Sequence, residues 1–380
     1  MSGTSADGLD AVLLELKGFP AVGSGSGNTP PPLQSATPRG RVLAHSYTPY
    51  PDELRELTLE AMRGSLPVSE LTQLHFALGA FYAASARDLA RDADLIASHG
   101  QTVYHIPRVD AGRGWAVRGT LQIGEPSLLA LETGKPVVSD FRPLDLVAGG
   151  QAAPLVPFAD WVLFAESGVR RAIHNLGGIS NLTYLPGDDP SGVLAFDTGP
   201  ANALIDEAMG RLGKRLDADG EIARSGTPEE NLSALWLQDP YFTLEPPKST
   251  GREYWTLERL TSVFELSPKD IVSTVTAFSA DSVADQYRRF VLRHGLDEIL
   301  VAGGGAMNPV FMARLQAGLP DVKVQRLEEN AFGAYGFTSA TREAAAFAVL
   351  GYYSYQGWHN TLPHTTGATR AVIAGKITRP

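Results

Sequence analysis

The sequence predicts an α/β protein of two domains, and three observations carry that prediction. The chain has 380 residues, more than one ordinary hydrophobic core organises. Short apolar strands alternate with helical patterns along most of its length. Each half also holds a Gly-rich turn beside a strand, which suggests a duplicated enzyme with the phosphates of a ligand pinched between two turns. The centre of the pattern is GVLAFDTGPAN at 192–202. It reads as a buried strand, a carboxylate, a tight turn set by Gly199 and Pro200, and then a helix. Asp197 falls at the C-terminal mouth of that strand, where α/β folds place their chemistry. The competing reading makes Asp197 a helix cap or a turn former.

Composition narrows the function classes. With 32 Lys and Arg against 42 Asp and Glu, the net charge is −10. That argues against nucleic acid or an anionic membrane as partner. It leaves a phosphate ligand open, because backbone N–H groups and Mg²⁺ neutralise phosphate locally. The absence of cysteine excludes disulfides, thiolate metal sites and Cys nucleophiles. The eight histidines form no helical metal pair. No stretch reads as a signal peptide or a membrane span, so the cytoplasm is the expected location.

The elements follow in order. MSGTSADGLD at 1–10 precedes a strand at 11–16. Such a Gly/Ser/Thr turn can wrap N–H and hydroxyl groups around a phosphate, and Asp7 or Asp10 can hold a metal through water. A frayed terminus is the alternative. Residues 19–40, rich in Gly, Ser and Pro, read as a flexible insertion between two strands. A strand at 41–47 and helices at 53–62 and 69–90 come next; Leu71, Leu74, Leu78 and Phe81 share one helix face.

The strand from Asp94 runs into a polar turn, where Ser98, His99, Gln101 and Thr102 form a candidate sugar-hydroxyl site around one glycine. Strands at 119–125 and 136–142 flank a helix at 128–133. Arg142 and Asp145 are candidates to grip a substrate carboxylate and hydroxyl, with a salt bridge between domains as the alternative. The hairpin at 171–184 turns at Gly177-Gly178. Residues 216–226 have the acidity of a calcium loop but not its spacing, and 246–252 (PPKSTGR) reads as a polar lid or site wall. A long helix is expected at 272–292. A strand at 298–302 then enters the turn Gly303-Gly304-Gly305, where close backbone approach suits an adenine ring or a phosphate. Glu343 opens a helix of small residues, and 371–373 reads as a final strand.

In that order, the motifs MSGTSADGLD, SHGQTVYH, LQIGEPSLLALETG, VVSDFRPLDLVAGGQAAPLVP, NLGGISNLTYL, FDTGPANALID, PPKSTGRE, AGGGAMNP and REAAAFA closely resemble the anhydro-N-acetylmuramic acid kinases of bacterial cell-wall recycling. The resemblance spans nearly the whole chain. It implies two ribonuclease-H-like domains of the sugar kinase/Hsp70/actin type with ATP in the cleft, here expected at 1–145 plus 364–380 and at 146–363. It implies that ATP, Mg²⁺ and water convert 1,6-anhydro-N-acetylmuramic acid into N-acetylmuramic acid 6-phosphate and ADP.

The family's ATP loop matches Gly3, Thr4, Ser5, Ala6, Asp7, Gly8, Leu9 and Asp10, its catalytic aspartate matches Asp197, and its helix-heading carboxylate matches Glu343. One strong base then suffices. Asp197 would deprotonate water for attack at C1, and the departing O6 would be captured by the γ-phosphoryl group. A kinase of the same superfamily acting on another sugar, and a non-enzymatic ATP-gated clamp, are the rival readings; a homodimer is left open. Ala152 and Ala201 stand where the family usually has glycine, and Glu125 where it commonly has Asp or Asn. Relatives also carry a strand ahead of the phosphate loop that is not seen here. Either the start lies upstream or the first strand is compromised, and the phosphate turn is expected to hang from one strand beside an unpaired edge.

Overall fold

The computed structural model describes residues 1–3, 6–22 and 39–380. Its strands are β1 (Gly8–Leu16), β2 (Gly40–Pro49), β3 (Ile96–Ser98), β4 (Gln101–Ile106), β5 (Gly119–Ile123) and β6 (Val137–Ser139). They continue with β7 (Arg171–Leu176), β8 (Ile179–Leu185), β9 (Leu194–Pro200), β10 (Glu298–Ala302), β11 (Lys323–Arg326) and β12 (Lys376–Thr378). The chain divides into two compact units, Met1–Phe164 with Tyr335–Pro380, and Ala165–Ala334. Among the described residues no helix is long and apolar enough to cross a membrane.

The second unit is built on one mixed sheet in the order β11-β10-β7-β8-β9. β7, β8 and β9 form an antiparallel meander, and β10 and β11 add in parallel to β7. This is the mixed sheet expected of a ribonuclease-H-like domain. The helix Pro268–Gln286 is buried along almost its whole length. Its Val272, Val275 and Phe278 pack in the same core as Leu182 and Phe196 of the sheet. The expected turn at Gly199-Pro200 is instead the end of β9, where Pro200 pairs with Ile179. An edge strand tolerates proline because one side of it needs no N–H. Gly199 has φ +136°, and a Cβ there would lie 3.0 Å from the Phe242 ring.

In the first unit the sheet is split. β1 pairs with β2 in a two-stranded ribbon, whereas β12, β6 and β3 form a separate sheet. A cavity of about 450 Å³ is lined by Leu9–Leu16 along one side and by Asp92–Ser98 along the other. Val12, Leu13 and Leu14 are all half-buried, an apolar run of the kind that fills a central strand. The Met1 ammonium donates to Asp10 O at 2.7 Å, and Asp10 N donates to Met1 O at 3.0 Å. That mutual pair is the first rung of an antiparallel ladder on the side of β1 away from β2.

Three sequence expectations need correction. The domain boundaries expected at 145/146 and 363/364 differ from the observed division. The helices Val156–Phe164 and Arg342–Tyr355 pack on each other through the buried Asp160–Arg342 pair and the Phe158–Tyr353 ring contact, so both belong to the first unit. The insertion expected at 19–40 is narrower. Phe19 packs edge-on against Tyr352 and Tyr353, and Pro20 O accepts from Tyr352 Oη. Arg39 is buried and donates to Val162 O, and residues 23–38 lie outside the described residues. The final strand is Lys376–Thr378, not 371–373. In that segment Val372 O accepts from Asn360 N at 3.1 Å and Val372 N donates to Thr361 Oγ1 at 3.0 Å.

Candidate active site

In the second unit Asp197 lies within β9, opposite Asn181 at a bulge. The helix Asn202–Gly210 begins without a side-chain cap; its first N–H groups, those of Ala201, Asn202 and Ala203, donate to Gly177 and Gly178 carbonyls. The capping reading of Asp197 therefore fails. Those N–H groups are also consumed, so any phosphate contact here must use the other groups of the Gly177-Gly178 turn.

Asp197 is held by one segment. Its N–H donates to Lys248 O at 3.1 Å, its carbonyl accepts from Tyr241 Oη at 2.6 Å, and Oδ2 accepts from Thr250 N at 2.9 Å. Oδ1 has no partner among the described residues. Burial raises the carboxyl to about 6, against the opposing pull of the Thr250 N–H. A carboxylate so placed is ionised at neutral pH yet basic enough to accept a proton.

Gly303, Gly304 and Gly305 lead from β10 into a short 3₁₀ turn. A Cβ at Gly303 would lie 2.7 Å from Leu176 O, and Gly303 has φ +90°. Gly304 is open, and it lines a cavity of about 510 Å³ with Asn202, Asp206, Leu216–Asp219, Met307 and Asn308. That volume suits a nucleoside-sized ligand, since small-molecule sites span ~300–1,000 Å³. The Arg252 guanidinium covers Gly178, where a Cβ would meet it at 2.4 Å. Sequence reasoning missed Leu216–Asp219, Thr250 and Arg252. The acidic loop matches no calcium spacing, and within the polar 246–252 loop no one residue stands out by sequence.

In the first unit Thr4 and Ser5 lie outside the described residues. Ala6 is buried at φ +47°. β1 starts at Gly8, earlier than expected, because a Cβ at Gly8 would lie 2.6 Å from Thr48 O and only glycine lets the strands close there. Leu9 is buried in the core, and Asp10 pairs with His45 at 2.9 Å. Asp7 is exposed and its carbonyl accepts from Tyr50 N and Tyr47 Oη.

The polar turn is internally bonded. Gln101 is fully buried, donates to Gly3 O at 3.2 Å and accepts from Ser2 Oγ. Arg142 Nε donates to His99 Nε2 at 3.0 Å, and His99 Nδ1 donates to Gly100 O at 2.8 Å. Burial, then the Arg142 charge, hold His99 well below its ordinary value and hence neutral. Arg142 Nη1 donates to Ala152 O at 2.6 Å, and Nη2 has no partner among the described residues. Burial lowers Arg142 to about 10, opposed by Glu343 and then Asp145. Glu343 itself is exposed in the first turn of its helix, and its charge is also felt at the Met1 ammonium.

The structure thus brings together Gly3, His99, Gln101, Arg142 and Glu343. Ser98 is buried in β3, and Thr102 accepts from Gln122. Asp145 is buried and accepts from Ala152 N and Thr366 Oγ1, so it closes the 145–152 loop. Ala152, at φ +57°, explains why glycine is usual there. Glu125 caps the helix Pro126–Thr133 and pairs with His75.

Among the described residues no group of three or more His, Asp or Glu side chains could hold a metal ion. Mg²⁺ fits such a site only through one or two carboxylates plus substrate phosphates.

The family model for anhydro-N-acetylmuramic acid kinase matches residues 1–380. The chain is 38% identical over 396 residues to the enzyme so named from Caldanaerobacter subterraneus subsp. tengcongensis, covering 99% of this chain and 95% of that one. It is 34% identical to the one from Bacillus cereus (strain AH820), covering 100% and 98%. Among solved structures, a ROK family glucokinase from Streptomyces griseus in complex with glucose and AMPPNP matches at a TM-score of 0.35 and 12% identity, covering 82% of this chain and 92% of that one. The chain belongs to the anhydro-N-acetylmuramic acid kinase family.

Proposed function

We propose that the protein converts 1,6-anhydro-N-acetylmuramic acid, ATP and water into N-acetylmuramic acid 6-phosphate and ADP, in the cytoplasm, as a step of peptidoglycan recycling. The observation that carries the reading is Asp197, with one oxygen fixed by an N–H, the other without a partner among the described residues, and no capping duty. Water loses a proton to Asp197 as its oxygen bonds to C1. The C1–O6 bond breaks, O6 bonds to the γ-phosphorus, and the bond from that phosphorus to ADP breaks. The leaving O6 is captured by phosphorus, so the acid of an ordinary glycosidase pair is dispensable.

The cavity beside Gly304 takes the nucleoside, and the turn at Gly177-Gly178 meets its phosphates. Arg142 takes the sugar carboxylate through Nη2, which has no partner among the described residues, with His99 holding the guanidinium plane. The charge of Glu343 acts on both Arg142 and the Met1 ammonium. Asp7 would hold Mg²⁺ through water together with the phosphates. When bound, the ion neutralises charge on the transferred group.

The test is turnover in heavy-oxygen water, sampled quickly because anomeric exchange also labels C1. The label is expected at C1 of the product and absent from its phosphate. Label in the phosphate, or phosphorylation of the sugar without ring opening, would overturn the reading.

A further inference from the structure

The carboxylates that line the cavity beside Gly304 differ in what they already hold. Asp217 is buried, with Oδ1 accepting from Ile222 N at 2.8 Å and Oδ2 from Ala223 N at 3.0 Å. Asp219 is exposed. Asp206 is half-buried and faces the same cavity, yet neither of its oxygens has a hydrogen-bond or ion-pair partner among the described residues. Burial pushes its carboxyl up, and the Arg252 charge opposes that. A carboxylate partly withdrawn from water without a partner is unfavourable, and such groups call for an explanation.

The helix Asn202–Gly210 sets where Asp206 stands. Asn202 N donates to Gly177 O at 3.0 Å, so the helix starts on the Gly177-Gly178 turn. Asp206 follows Asn202 by four residues, which puts both on one helix face, and both line the cavity. The carboxylate is thus one helical turn, about 6 Å along the axis, from the start of the helix. Arg252 gives a second fix: its charge reaches Asp206, and its guanidinium covers Gly178. A nucleotide with its phosphates at that turn presents its ribose next. Leu216 and Met307 also line the cavity, each about half exposed. They offer apolar surface for a base and no acceptor for hydroxyls, which leaves the hydroxyls to Asp206.

We propose that Asp206 determines specificity for the sugar of the nucleotide, its two oxygens accepting from the 2′ and 3′ hydroxyls of a ribose. The inference rests on the reading that this cavity takes the nucleoside of ATP. Vicinal hydroxyls offer two donors side by side, and an ionised carboxylate offers two acceptors and no donor. A deoxyribose leaves one of those acceptors unpaired in a half-buried place, and that penalty is what discriminates. The ribose takes no part in the bonds that form and break. The contact is therefore equal in ground and transition states, and its loss appears in the KM for ATP while kcat holds.

The experiment compares Asp206→Ala with the parent on ATP, 2′-deoxy-ATP and purine riboside triphosphate, which lacks only the amino group of ATP. The parent is expected to favour ATP over 2′-deoxy-ATP by ~10- to 100-fold in kcat/KM, the strength of a hydrogen bond to a charged group. In Asp206→Ala the KM for ATP should rise by about that factor, 2′-deoxy-ATP should react nearly as in the parent, and the preference should vanish. Calorimetry with ADP and 2′-deoxy-ADP, without sugar, should show the same loss of preference. Melting temperature should be unchanged or higher, because the carboxylate has no partner in the fold to lose. A parent that uses both nucleotides equally well would overturn the proposal, as would a variant that keeps the preference. So would a loss equal for ATP and 2′-deoxy-ATP but absent with the purine riboside, since Asp206 would then hold the amino group, or a change confined to the Mg²⁺ requirement. If the parent neither binds ADP nor turns over ATP with the sugar, the nucleoside reading itself has failed. If the parent discriminates and the variant does so equally, only the assignment to Asp206 has failed.

Discussion

Replacing Asp197 with asparagine is expected to lower kcat by ~10²–10⁴-fold, the usual loss when a general base is removed. ATP binding should survive, because no phosphate contact is assigned to this carboxylate. The pH dependence follows from the same group. Burial holds Asp197 at about 6, so the parent's kcat should fall as pH drops through about 6 and the base takes up a proton. Stability moves in the opposite sense. A folded-state value above the ordinary aspartate value means that the fold favours the protonated form. The corresponding stability is fully present at low pH and is lost as pH rises through about 6. Asparagine never ionises and so escapes that loss, and its Oδ1 still accepts from Thr250 N. The variant should therefore melt at or above the parent temperature at pH 8 while being nearly inactive. Calorimetry for ATP binding, a thermal melt and initial rates across pH check the three statements. A stable variant with near-parental kcat would remove Asp197 from the mechanism.

Much of this site was legible in the sequence because its parts are local. The strand–carboxylate–helix pattern around Asp197 and the glycines at 177–178 and 303–305 announce themselves within a few residues. What stayed hidden depends on partners far along the chain. Asp145 reads as a ligand group in isolation, but Ala152 and Thr366 take its oxygens. Gln101 reads as a sugar contact until the fold sets it under Ser2 and Gly3. The Gly199-Pro200 pair has turn chemistry, yet β9 lies at the edge of its sheet, where proline costs no ladder bond. Thr250 falls inside the polar motif PPKSTGRE, yet nothing local singles it out, because what its backbone N–H holds is Asp197, far back in the chain. The domain boundary was misplaced for a similar reason. The glycine pair at 149–150 looks like a hinge, but a Cβ at Gly150 would lie 2.1 Å from Asp145 Oδ2, so that glycine serves close packing within the first unit.

The largest loss of stability is expected at Arg342, the residue before Glu343. Its guanidinium meets Asp160 in a two-pronged pair, with Nε donating to Oδ1 at 3.0 Å and Nη2 to Oδ2. The two side chains are 6% and 1% exposed. Arg342→Met leaves the Asp160 carboxylate buried and uncompensated, which costs ~3–5 kcal/mol. Asp160→Leu leaves the guanidinium buried without its partner and should cost a similar amount. Replacing both partners with apolar groups of matching volume removes both buried charges. The double variant Asp160→Leu/Arg342→Met should therefore recover most of what either single change loses, because the net worth of a buried pair against a packed apolar core is small. Denaturant midpoints for the four proteins test this as a cycle. If the double variant lost the sum of the two single losses, the residues would be acting independently and the pair would not be what joins the two helices. Activity adds a local readout. Glu343 sits in the first turn of the helix that this pair anchors. The single variants should therefore lower kcat below their melting range, and the repacked double variant should restore it along with the helix position.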